Sequence, residues 1–166
     1  MYKTIEDFID DWKEEAESTI KVFEKVDDAE IKNKVNDNVR TLGKIAWHIT
    51  QTLTEMPASA KIISEDALEN RDVPESIKII IDKYKQHSGE LVNSLKENWK
   101  ESDLTEIVEL YNQKWKRSKV LSVLIKHQIH HRAQMTVIMR LLNTKVPGIY
   151  GPAKEEWSEY GMEPQE

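Results

Sequence analysis

Apolar residues recur at helical spacing through four long segments of this chain, and that periodicity limits its possible folds more than any other feature. Ile5, Phe8, Ile9, Trp12, Ala16, Ile20 and Phe23 follow one another at steps that place them on one side of a helix. Thr4 with Asp7 forms a capping-box pattern ahead of that stripe, so the first helix is expected from about Thr4 to Lys25. The second follows the N-capping side chains of Asn36, Asp37 and Asn38 and carries Leu42, Ile45, Ala46, Ile49, Leu53 and Met56, with Pro57 expected to end it. Pro74 is a good opening residue for the third, which contains Ile77, Ile80, Ile81, Tyr84, Leu91, Val92 and Leu95 and is weakened at Gly89. The fourth is expected from about Ser118 to Asn143, with Val120, Leu124, His127, His131, Met135, Ile138 and Leu142 on one side.

Four amphipathic helices imply an all-α four-helix bundle, with residues 1–166 as one domain. The connection between the second and third helices, roughly 17 residues, is too long for a tight antiparallel turn. It can cross the bundle and set those helices parallel, in an up-down-down-up order. Ile107, Glu109 and Tyr111 alternate with Val108 and Leu110, so a small hairpin turning at Asn112-Gln113 is expected before the fourth helix. Pro152 is placed to open a short terminal helix through Trp157.

Composition narrows the function. A net charge of -6 disfavours nucleic acid, and the basic run from Lys114 to Lys126 reads as a solvated face. The chain has no cysteine, which excludes disulfides and thiolate metal sites, so any reactive thiol must come from a substrate. The start, MYKTIEDFIDDW, is acidic and lacks an apolar signal core, and no stretch approaches the roughly 20 apolar residues of a membrane span. A cytoplasmic protein is expected.

The chemistry-bearing residues are histidines, three of the five falling within IKHQIHHRAQ at residues 125–134. At about 100° per residue, His127 and His131 share a helical face, whereas His130 and Arg132 point roughly 100° from His131 to either side. An i,i+4 pair of imidazoles can present two nitrogens to one metal ion. Without a metal, two rings in an apolar stripe need other polar partners. His48, in GKIAWHITQ on the second helix, can supply a third ligand, although alone it would read as a partly buried, hydrogen-bonded histidine. His87 lies in polar KYKQHSGE, with no neighbour that makes it a ligand. Gln128 stands where a zinc protease of the H-E-x-x-H type needs its glutamate base, and no Glu lies three residues before His48, His127 or His131 as a di-iron bundle requires. Gln134 is placed to orient substrate or a histidine, and Trp47 to line a pocket beside His48, with packing as the simpler role of both.

The segments RTLGKIAWHI, HQIHHRAQMTVIMRLL and VPGIYGPAKEEW, in that order, resemble the DinB-like proteins, the damage-inducible helical-bundle metalloproteins. The resemblance implies an up-down-down-up bundle, often paired as a homodimer, with a divalent metal held by His48, His127 and His131. It also implies an activity of the thiol S-transferase or thiol-dependent isomerase kind, on a small-molecule substrate and a low-molecular-weight thiol. Ala133 departs from the glycine common in the relatives' HHRGQ. Independently, three neutral histidines leave a coordination position open, as in catalytic zinc sites. Zinc or nickel suits such ligands, and either can activate a small thiol or water. The open alternatives are a metal-dependent hydrolase and a non-catalytic metal- or ligand-binding bundle, with no general base identified.

Overall fold

The stripe that begins at Ile5 folds as a helix because its entry is closed by side chains. In the computed structural model, which describes residues 1–164, α1 (Ile5–Phe23) opens on the expected box: Asp7 N–H donates to Thr4 Oγ1 at 3.0 Å and Thr4 N–H to the Asp7 carboxylate at 3.3 Å. The Ile5 N–H is taken by the Glu101 carboxylate at 3.0 Å, just beyond the end of the next-but-one helix. That helix, α3 (Ile77–Asn98), is closed reciprocally, its Ile77 N–H donating at 2.7 Å to Asp28 just beyond α1. These two caps fix α1 and α3 antiparallel.

The remaining contacts set the bundle order. Between them lies α2 (Leu42–Ser59), and the last long helix is α4 (Arg117–Leu141). The residues just ahead of α1 meet the start of α4 through Met1 and Ser118, and the C-terminal half of α1 meets that of α4 through Glu15 and Arg132. The two therefore run parallel. On the other side, His48 of α2 meets His127 of α4, while Glu55 accepts from Tyr111 just ahead of α4, so α2 runs antiparallel to α4. The order is up-down-down-up, as the long α2–α3 connection implied. Each of α1 and α2 packs against both α3 and α4, and the buried interior includes Phe8, Ile9, Trp12, Leu53, Tyr84 and Leu124. Each such side chain contributes about 1.5–3 kcal/mol through burial.

Several boundaries differ from those predicted. The N-cap of α2 is Thr41, whose Oγ1 accepts from Lys44 N–H at 3.3 Å, rather than the Asn-Asp-Asn run. Pro57 does not stop α2, which continues to Ser59; in a final turn the single missing N–H is a small loss. Ser76, not Pro74, stands at the mouth of α3. The hairpin exists as β1 (Ile107–Leu110) and β2 (Gln113–Lys116), paired antiparallel with Leu110 opposite Gln113. Its turn is Tyr111-Asn112, both at positive φ (53° and 58°), as a tight two-residue hairpin requires. The terminal helix is a 3-10 segment, Lys154–Tyr160, that begins two residues after Pro152. Among the described residues no helix is long and apolar enough to cross a membrane.

The largest revision concerns which residues α4 buries. Its buried face keeps Val120, Leu124, Met135 and Ile138 of the predicted stripe and widens to one side of it through Leu121, Ile125, Gln128, Arg132 and Met139. Arg132, expected to point aside, is 3% exposed and crosses to α1. Its Nη1 donates to Glu15 O at 2.9 Å and Thr19 Oγ1 at 3.3 Å, and its Nη2 to the Glu15 carboxylate and Tyr150 Oη, both at 2.6 Å. Gln128 accepts from the buried Tyr84 hydroxyl of α3. With partners waiting on α1 and α3, these polar residues occupy the core face, and His127 and His131 move to its half-exposed edge toward α2.

Candidate metal centre

At that edge the three predicted histidines meet. His127 Nε2 lies 3.1 Å from His48 Nε2 and 3.1 Å from His131 Nε2. One ligand atom from each ring falls within 4.8 Å of the other two, and the cluster contains no carboxylate. The helices account for this arrangement. Residues 127 and 131 are one turn apart on α4, and α2 crosses at His48, held at that depth by Ile45 and Ile49 in the core.

The cluster's hydrogen bonding fits a cation better than it fits a metal-free network. His131 Nδ1 lies 2.8 Å from Gln134 Oε1, an atom that only accepts, so the proton sits on Nδ1 and the Nε2 lone pair faces the cluster. The Gln134 amide then donates to His130 Nε2 at 3.0 Å. His127 Nε2 carries at most one proton, so it cannot donate along a separate bond to each of two neighbours. Three nitrogens at 2.0–2.1 Å from a tetrahedral ion lie about 3.3 Å apart, close to the spacing present. His48, His127 and His131 can therefore hold a divalent ion. One usual support is missing: among the described residues His127 Nδ1 is buried without a hydrogen-bond partner.

Electrostatics keep the rings neutral. Burial, with His131 and Arg40 adding like-charge repulsion, lowers His48 to about 4. Burial followed by the neighbouring histidines lowers His127 to about 4 as well. Burial also lowers His131, against the opposing bond to Gln134. Neutral imidazole is the form that binds metal. His48 and His131 line a cleft of about 580 Å³ whose floor and walls include Ile45, Ile138, Arg40 and Gln134. That volume lies within the range of small-molecule sites.

Other histidines and aromatics take different places. His130 is exposed; its ring meets the edge of His131 at 4.9 Å between centroids and it bonds Gln134, but it brings no nitrogen to the cluster. His87 is buried, its Nδ1 2.8 Å from Glu90, which its polar neighbours in sequence did not disclose. Trp47 does not line the cleft beside His48; its indole N–H donates to Arg71 O at 3.0 Å on the α2–α3 side. Arg40, which periodicity had passed over because it sits in a loop, is the cation nearest in effect to the three rings.

A helical bundle with a convergent histidine triad beside a small-molecule cleft defines a class of candidate metalloprotein. The chain belongs to the DinB family, which it matches over residues 1–166. It is 37% identical over 163 residues to the uncharacterized protein YrdA of Bacillus subtilis (strain 168), covering 98% of each chain. It is also similar to the crystal structure of a DinB-like protein from Bacillus cereus ATCC 10987 (TM-score 0.81, 35% identity, 90% of this chain and 100% of that one). A second DinB-like structure, YjoA of Bacillus subtilis, shares the fold (TM-score 0.70, 15% identity, 89% of this chain and 99% of that one).

Proposed function

We propose that this protein is a divalent-metal-dependent enzyme that activates a small thiol for attack on an electrophilic substrate. The observation that carries this reading is the convergence of the His48, His127 and His131 Nε2 atoms, with the His48 and His131 rings in the lining of an open cleft. A zinc or nickel ion held there supplies a Lewis acid that favours thiolate over thiol at neutral pH. The three rings contribute no negative charge, which leaves that acidity undiminished. Gln134 holds His131 in the tautomer that presents its lone pair, and the apolar walls at Ile45 and Ile138 limit water around the reacting groups. The cluster lacks a carboxylate to take a proton from water, which favours a thiol, more acidic by itself, over hydrolysis.

The test is spectroscopic and kinetic. Small thiols added to the cobalt-substituted protein are expected to give a sulfur-to-cobalt charge-transfer band. Turnover of a model electrophile should follow metal content and vanish in His131→Ala. Metal-dependent ester or amide hydrolysis without such a band would replace the thiol reading. Coordination with neither activity would make the protein a metal-binding bundle.

A further inference from the structure

The cleft beside the triad has a polarity at odds with the rest of the chain. The protein is acidic overall, at -6, yet the residues lining this cleft include the Arg40 guanidinium and no carboxylate. Arg40 is exposed and, like Arg71, makes no side-chain ion pair or hydrogen bond among the described residues, whereas Arg117, Arg132 and Arg140 each face a glutamate. Arg40 shares the cleft's lining with His48 and His131.

The loop around Arg40 contributes Asn36 and Asn38 to the cleft's lining but not its acid. Asn38 N–H donates to Asn36 Oδ1 at 2.8 Å, which occupies that oxygen and leaves the Asn36 amide N–H groups free. Asp37, between them, pairs with Lys34 and is absent from the lining. Opposite stand Val137 and Leu141 of α4, 58% and 63% exposed, with Ile138 beneath them. The cleft thus has a metal-competent end, an apolar wall and an unpaired guanidinium flanked by amides.

We propose that the cleft binds an organic carboxylate, with Arg40 as the specificity-determining residue and the apolar wall holding the carbon skeleton between carboxylate and reacting end. The planar fork of a guanidinium matches a carboxylate with two parallel bonds, and a free arginine loses no existing partner on forming them. This deepens the proposed function and rests on it for the identity of the reacting end: the thiol or its electrophilic partner is a carboxylic acid.

The experiment compares mercaptoalkanoates, from mercaptoacetate to 6-mercaptohexanoate, with mercaptoalcohols of equal length, titrated calorimetrically into zinc-loaded wild type and Arg40→Gln. At the chain length that spans the cleft, the carboxylate is expected to bind about tenfold tighter than its alcohol. That ratio should fall to about one in Arg40→Gln, and Arg40→Lys should recover only part of it. A ratio near one in wild type overturns the proposal, as does a preference that survives Arg40→Gln, which would mark chelation through both ends of the probe. If neither thiol series binds, the thiol reading fails, and Arg40 is judged by hexanoate against hexanol in metal-free protein. Side-chain amide signals of Asn36 and Asn38 that move with hexanoate alone, and not in Arg40→Gln, uphold the carboxylate site. No such movement overturns it.

Discussion

Replacing Arg132 by Met keeps most of the stem's volume and deletes a charge that is 3% exposed against a Glu15 carboxylate 13% exposed. Four hydrogen bonds go with it: two to Glu15, one to Thr19 and one to Tyr150. The carboxylate that remains keeps only the Tyr150 hydroxyl, which donates to it at 2.6 Å. Removing one partner of a buried pair costs about 3–5 kcal/mol, because the survivor stays desolvated without compensation. For a chain of this length that corresponds to a fall in Tm of roughly 10 °C. Thermal unfolding of the metal-free protein measures it, followed by circular dichroism at neutral pH. The double variant Glu15→Gln with Arg132→Met should lose clearly less than the sum of the two single changes, with a coupling of about 2 kcal/mol or more. A loss under about 1 kcal/mol for Arg132→Met, or additive losses in the double variant, would refute a buried, coupled pair tying α4 to α1.

Gln134→Ala removes the acceptor on His131 Nδ1; it should weaken zinc binding about 10- to 100-fold by competition with a chromophoric chelator, and unchanged affinity would make Gln134 a surface residue only. His48 and His127 are held near 4 when folded and titrate near 6.5 when unfolded, so between those values the unfolded chain binds more protons. Metal-free stability should therefore be full above about pH 6.5 and fall as pH drops toward 4, less steeply in His127→Gln; a flat profile in urea titrations across that range contradicts the burial of these rings. Gly43→Ala brings a methyl to 2.9 Å from Ile31 O and 3.1 Å from Ile31 Cβ at the start of α2. It should cost about 1–3 kcal/mol in the same titrations.

What the sequence could show depended on whether a signal was local. The α1 stripe and its Thr4–Asp7 box are local, and both stand as read. Alternation of Val108 and Leu110 against exposed Ile107 likewise disclosed the hairpin, but the two-residue positive-φ turn depended on backbone geometry, which favoured Tyr111-Asn112 over Asn112-Gln113. The widening of α4's buried face was not local. Gln128 and Arg132 read as surface residues by hydropathy, and only Tyr84 on α3 and Glu15 on α1, far away in the chain, make their burial affordable. The triad itself was legible because histidines at i,i+4 leave few neutral uses on a helix face. The cleft was not, since Arg40, Asn36 and Asn38 lie in an irregular loop whose path no periodicity describes.

Metal stoichiometry tests the central claim most directly. Protein produced without a histidine tag, incubated with zinc or nickel and dialysed against a mild chelator, should retain about one ion per chain by elemental mass spectrometry. His48→Ala, His127→Ala and His131→Ala should each lose it, while His130→Ala should keep it, because His130 offers no nitrogen to the cluster. A wild type that holds no ion after this treatment, or three single variants that retain as much as wild type, would contradict the assignment of these histidines as a metal centre.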